Sequence, residues 1–540
     1  MSVENFGRGG ISIVSTGAVT GTNGLGIRAI NNANSIAGLT LSVRDVSGYG
    51  GIYARNYGTG TTSVTSTGTV TGTSGNGIDV RNTSAGNGVT VAAAAVTGGT
   101  TGIDARNLGG GALSVTATGQ VTGTTGRGIN ASNSANGTNL TVSVAGVTGA
   151  TDGIYAFNLG TGAMSVTSTG TVTGRGGNGI DARNSGTSLT ITAASVSGIG
   201  NAIDARNNGS GALSITSTGS VTGTINGIRA RNYATGTDLT IAAASVSGNT
   251  GINAVNSGSG SLSVTSSGLV TGNTAQGIYA QNESTGVNLG ITAAAVTGAT
   301  QGIYARNNGR GALSVTSTGT VTGANGSGIY ARTAGTGLTI STASVSGTTE
   351  GIFAQNRGSG ALSITSTGNV TGTTIGIRAR NYSGTNLTIA AASVSGGVGI
   401  SATNNGAGAL SVTATMREIL RRAAKAPSWS SSMSVTMLMV PSDSLPATRL
   451  ETAKRLMLQA FVAGVFEGAA DEGERRPAGR AAACRGPCAP RGWPPRGGAA
   501  RAAACRQRAV RPHPHPLRRQ HERRQRGRAA RAARRRRRPD

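Results

Sequence analysis

Gly51-Ile52-Tyr53-Ala54-Arg55-Asn56 returns as Gly102-Ile103-Asp104-Ala105-Arg106-Asn107, with Gly77-Ile78-Asp79-Val80-Arg81-Asn82 between them. The Ile anchor recurs from Ile27 to Ile400 in sixteen copies, stepping 23 to 26 residues at a time. Met1 lies 26 residues before Ile27, with Val3 and Asn5 in the expected Ala and Asn places. A fixed period of this length marks an architecture built by stacking one supersecondary unit.

Each repeat reads as three short strands. The first is Ile-x-Ala-x-Asn. The second is Leu113-Ser114-Val115-Thr116 or its variant Leu189-Thr190-Ile191-Thr192, and the third is Thr171-Val172-Thr173-Gly174 or its like. Apolar and polar residues alternate in all three, as in strands with one buried face. The two versions of the second strand take turns along the chain, giving a longer period near 50 residues. A hairpin meander would give no reason for identical residues every 25 or so, whereas stacked coils place each residue over its equivalent one turn away. The predicted fold is therefore all-β: a right-handed parallel β-helix, or β-solenoid, of about 17 coils over residues 1–415. At the spacing of paired strands the rod would be about 75–80 Å long.

Four residues after the anchor stands Asn31, then Asn56, Asn82, Asn107, Asn133, Asn158, Asn184, Asn207, Asn232, Asn256, Asn282, Asn307, Asn356, Asn381 and Asn404, with Thr333 the one departure. An Asn at a turn, facing inward, is expected to donate its amide to the carbonyl of the next coil. A ladder of such bonds would satisfy buried turn backbone.

Composition changes abruptly between Thr415 and Met416. All 12 Pro, all three Cys, all three His and both Trp follow this seam, and all nine Tyr precede it. Most of the net charge of +28 also follows it. Aromatics make up 3% of the chain, too few for a conventional globular core and consistent with a thin, continuous one. No apolar run is long enough for a membrane helix, and no basic region followed by an apolar run opens the chain as a signal peptide would. Both ends of the array look uncapped, so the chain reads as part of a longer stack.

Residues 416–540 are rich in Arg, Ala, Pro and Gly, as in Arg480-Ala481-Ala482-Ala483-Cys484-Arg485 and the run Arg534 to Arg538. Those residues are what GC-rich codons give out of frame, and a tail of this kind is expected to be disordered apart from a short helix near Thr448 to Phe466. On that reading, another frame of the DNA near codon 415 should restore the coils. The competing reading is an Arg-rich arm binding nucleic-acid phosphates. Cys484, Cys488, Cys505, His513, His515 and His521 match no standard zinc spacing, and no metal or other cofactor is expected.

Residues 1–415 hold no His, Cys or Lys, which removes the usual nucleophiles and bases. Carboxylates remain: Asp79 and Asp104 share one outward place in neighbouring coils, as do Asp181 and Asp204. Carboxylates stacked about 5 Å apart could serve acid–base chemistry on a polysaccharide. Each, however, precedes an Arg by two residues (Arg81, Arg106, Arg183, Arg206), so an exposed charge ladder explains them without catalysis. The Gly-rich stretch Gly109-Gly110-Gly111 lacks the helix and Gly-Lys-Ser/Thr ending of a phosphate loop and reads as a turn. Ranks of hydroxyls such as Ser114 and Thr116 or Thr190 and Thr192 suggest an ice-binding face, but Ala92, Ala242 and Gly290 interrupt them, and strand propensity accounts for the rest. Tyr53, Tyr155, Tyr279, Tyr304, Tyr330 and Phe353 form an outward aromatic stripe. It reads either as a platform for sugar rings, centred on Tyr279, Tyr304 and Tyr330, or as packing between coils.

The Gly-Ile-x-Ala-x-Asn … Leu-Ser-Val-Thr-Ser-Thr-Gly-x-Val-Thr-Gly array resembles the passenger region of bacterial autotransporters, over residues 1–415. The resemblance implies a surface-exposed stalk or adhesin-like module at the outer membrane or outside the cell, exported through a β-barrel translocator in the full-length relative. It implies a glycan or cell surface as partner, and no small-molecule substrate. The alternative within the same fold is a polysaccharide lyase or hydrolase.

Overall fold

The computed structural model describes residues 1–416 and 434–438, and over them the chain is a parallel β-solenoid. The Ile-x-Ala-x-Asn segments, from Ser2–Asn5 through Ile27–Asn31 to Val398–Asn404, form a 17-stranded sheet. Each pairs in parallel with its equivalent one coil away. Ile103 lies beside Ile129, Ala105 beside Ala131 and Asn107 beside Asn133. Like therefore stacks on like, which is why the sequence period survives so regularly.

The interior follows from alternation. Ile and Ala of the first strand, Leu and Val or Ile of the second, and Val of the third are all buried in one continuous core. Ala in the middle of the first strand keeps the coil narrow enough to close. The Gly before the anchor serves the same end. A Cβ on Gly51 would lie 2.4 Å from the Gly77 carbonyl oxygen and 2.6 Å from Val70 Cγ1.

The expected second and third strands are one element in most coils. Leu213–Gly223 and Leu239–Gly248 each run unbroken through both, bent at a bulge between Ser217 and Ser220 on one and Ala243 and Ser245 on the other. The period near 50 residues has its physical cause here. Coils of the Leu-Ser-Val-Thr-Ser-Thr-Gly kind place 11 residues in this element, and the Leu-Thr-Ile-x-Ala-Ala kind places 10. The extra residue bulges outward. Inside the bend most coils of the longer kind bury a Ser where most of the shorter kind bury an Ala. Ser217 Oγ donates to the Ala194 carbonyl of the preceding coil at 3.1 Å, and Ser266 and Ser366 make the equivalent bonds to Ala244 and Ala343. The bulge residue must be Gly, because a Cβ on Gly219 would approach Ser195 Oγ to 2.3 Å and the Ala194 oxygen to 2.7 Å.

The last solenoid strand is Leu410–Met416, and Ser434–Leu438, assigned by composition to an unstructured tail, pairs with it antiparallel, Ser411 opposite Leu438 and Thr415 opposite Ser434. The edge of that strand is thus covered, contrary to the expectation of an open end. The expected helix near Thr448 to Phe466, the cysteines and histidines and the Arg-rich run lie outside the described residues. Among the described residues, no helix is long and apolar enough to cross a membrane.

Candidate functional site

Three ranks on the first sheet carry nearly all the chemistry of the solenoid: the inward Asn, and the outward residues one and three places after the anchor.

The Asn rank is buried from Asn31 to Asn381, the Thr333 place included. Its bonding corrects the expected acceptor. Most Nδ2 atoms donate to the side-chain Oδ1 of the next coil's Asn, and to carbonyls of their own turn. Asn207 Nδ2 reaches Asn232 Oδ1 at 3.0 Å and the Gly211 oxygen at 2.9 Å, while its Oδ1 accepts from Gly209 N–H and from Asn184. The ladder has one direction and three sections. It runs Asn5 to Asn31 to Asn56, then Asn107 through Asn133, Asn158, Asn184, Asn207, Asn232, Asn256 and Asn282 to Asn307, then Asn356 through Asn381 to Asn404. At Thr333 the chemistry changes, since a hydroxyl accepting from Gly335 N–H is too short to continue the chain. At Asn82 the residue is right but the Oδ1 accepts from Leu108 N–H of the next coil instead.

The four Asp are not an exposed ladder. Asp104, Asp181 and Asp204 are 6, 4 and 2% exposed, roofed by guanidinium groups. Arg106 and Arg183 each grip their Asp with Nε and Nη2 at 2.8–3.0 Å. Asp204 holds Arg206 and also Arg229 from the following coil. Asp79 pairs with Arg55 of the preceding coil at 2.6 Å, not with Arg81. The hydrogen bonds to Asp raise the pKa of Arg106, Arg183 and Arg206 above the ordinary value against the opposing effect of burial. Carboxylates held this way have their oxygens committed to fixed donors. Among the described residues, no group of three or more His, Cys, Asp or Glu is placed to hold a metal ion.

The aromatic stripe divides into two kinds of environment. Tyr53 and Tyr155 stand apart from the row, each with a guanidinium 3.9 Å from its centroid, Arg55 over one and Arg127 over the other. Tyr279, Tyr304, Tyr330 and Phe353 occupy consecutive coils and stack face to face, with centroids 5.0, 4.9 and 4.7 Å apart and planes within 3°. One-coil spacing imposes this arrangement. Tyr304 and Tyr330 have a ring on both faces, so they offer solvent only edges and hydroxyls. Packing between coils, the second of the two readings of the stripe, describes these two rings.

Tyr279 differs. Its other neighbour along the row is Asn253, and beyond that comes Arg229, whose guanidinium is tied to Asp204. Replacing a ring by Asn opens a notch of about 330 Å³, lined by Arg231, Asn253, Val255, Gln276, Tyr279, Gln281 and Glu283. Tyr279 Oη donates to Gln281 Oε1 at 2.5 Å, and Gln281 in turn donates to Glu283. Burial, with lesser contributions from Tyr304 and Glu283, raises the Tyr279 pKa above 10. Arg231 Nε and Asn253 Oδ1 have no protein hydrogen-bond partner. A polar atom left so costs about 1–3 kcal/mol. The row could be read from the sequence as a stripe. The notch could also have been suspected there, from a small residue immediately before the first of four rings.

No protein family, curated protein or solved structure matches the chain.

Proposed function

We propose that this protein is a non-catalytic stalk or adhesin-like module of the autotransporter type, displayed on a bacterial surface and attaching to a polymeric glycan or cell-surface partner. One observation carries the reading. The outward ranks repeat at one-coil spacing along the rod, so a polymer running beside it meets a series of similar, individually weak contacts. Such contacts combine through effective concentration when both partners are multivalent. The commitment of Asp104, Asp181 and Asp204 to guanidinium partners supports a structural role for the carboxylates that a glycan-cleaving enzyme would need free.

The test is attachment of the full chain, displayed in many copies on beads, to surfaces coated with polysaccharide. Changing Tyr279, Tyr304 and Tyr330 together to Ser is expected to weaken attachment while the rod stays folded. Cleavage of a polysaccharide by the purified protein, abolished by Asp181→Asn or Asp204→Asn, would overturn the non-enzymatic reading.

A further inference from the structure

We propose that the notch beside Tyr279, lined also by Asn253, Arg231 and Gln281, is a binding site for a single pyranose ring of a glycan, which stacks on the open face of Tyr279 above Asn253. The proposal rests on the reading of the protein as a glycan-attaching rod and places its specific contact.

Spacing makes the first argument. Arg229, Asn253 and Tyr279 are directly opposed in register on three successive strands. Two strand steps separate Arg229 from Tyr279, about 9.5 Å. In the next three coils, rings sit 4.7–5.0 Å apart. The space over Asn253 is therefore the place of one more ring in the stack, supplied from outside the chain. The notch that Asn253 and Tyr279 help to line measures about 330 Å³, at the small end of ligand sites, as a single sugar residue requires.

Chemistry makes the second. The two other tyrosines of the stripe that stand outside the row are closed by cations, Arg55 on Tyr53 and Arg127 on Tyr155. Next to Tyr279, Arg229 is withdrawn to Asp204. What surrounds the open face is a mixture of donors and acceptors: Arg231, Asn253, Gln276, Gln281 and Glu283. A pyranose suits that mixture, because its axial C–H groups lie on an aromatic face while its rim of hydroxyls both donates and accepts. A nucleobase would stack on the same face, but its edge offers fewer and fixed donors and acceptors than a rim of hydroxyls that each do both. Arg231 and Glu283 place one charge of each sign on the lining, which a neutral sugar and a sugar acid probe in turn.

The experiment is saturation-transfer NMR and calorimetric titration of the full chain with three probes: a β-1,4-glucose hexasaccharide, an α-1,4-galacturonate hexasaccharide and adenosine. At least one sugar is expected to bind, with saturation concentrated on ring C–H protons. Asn253→Tyr should fill the gap with the chain's own ring, raise or preserve the thermal midpoint, and weaken sugar binding at least tenfold. If that variant fails to fold, Tyr279→Val, which removes the platform, must give the same loss. Tyr49→Ser, an exposed ring outside the row and the notch, should leave affinity within twofold. Binding unchanged in Asn253→Tyr, no binding of either sugar, or binding of adenosine alone would overturn the site. Multivalent attachment to a polysaccharide that persists in Asn253→Tyr would sink the notch while leaving the proposed function standing, whereas absence of any attachment would sink that function itself.

Discussion

Asn207 Nδ2 donates to Asn232 Oδ1 of the next coil at 3.0 Å, and the bond belongs to a section of ladder running from Asn107 to Asn307. The same Asn207 also holds its own turn, through Gly209 N–H and the Gly211 carbonyl. Replacing it by Leu leaves these buried groups without partners. The expected cost is about 1–3 kcal/mol, read as a lower urea midpoint with an unchanged slope.

The break at Thr333 offers the converse test. Thr333→Asn places an amide between Asn307 and Asn356 and should rejoin the two sections. A gain of about 0.5–1.5 kcal/mol is expected, the ordinary net worth of a hydrogen bond. No gain in midpoint would mean that the local backbone, and not the missing amide, interrupts the ladder there.

The solenoid also predicts opposite signs for two glycines. Gly290 has open space around its Cβ position and interrupts the outward rank of the second strand. Gly290→Thr should stabilise by up to about 1 kcal/mol through strand propensity and reduced freedom of the unfolded chain. Gly219→Ala drives a methyl into Ser195 and the Ala194 carbonyl and should destabilise by about 1–3 kcal/mol. Thermal unfolding of the two variants side by side measures both.

A pH dependence follows from Tyr279. Its folded-state pKa lies above the ordinary 10, so the neutral phenol is favoured in the fold. The associated stability is complete below pH 10 and is lost as pH rises past 10 toward the folded value. Tyr279→Phe should therefore lose less stability than the parent chain between pH 10 and pH 11, measured by urea unfolding at each pH. Equal losses would show that burial of this hydroxyl does not contribute.

Much of this architecture was legible in the residues, and the reason is physical. Stacking like on like makes the period of the sequence the period of the fold, so Ile103, Ala105 and Asn107 disclosed the strand, its inward face and its register together. What the period cannot disclose is the direction a side chain takes within its rank. Asn82 matches its equivalents in the sequence yet bonds Leu108 N–H in place of its neighbour's amide. Asp181 and Asp204 share a rank of outward residues, but the long Arg183 and Arg206 side chains fold over them and bury them. Nor did alternation alone reveal that the second and third strands are one bent element. A bulge breaks the two-residue rhythm at Ser217 to Ser220 without breaking the sheet. Tyr279 was legible as a member of a row, while its uncovered face depended on Asn253 and on the engagement of Arg229 by Asp204.

The central claim is that the rod attaches by repetition and not by catalysis, and the most direct measurement is attachment to immobilised polysaccharide as a function of the number of chains per bead. The account predicts weak binding by single chains and apparent affinity rising by about 10²–10⁴ as copies accumulate, with no new reducing or unsaturated sugar ends released. Single chains that bind as tightly as crowded ones, or polysaccharide that is cut as it is bound, would contradict it.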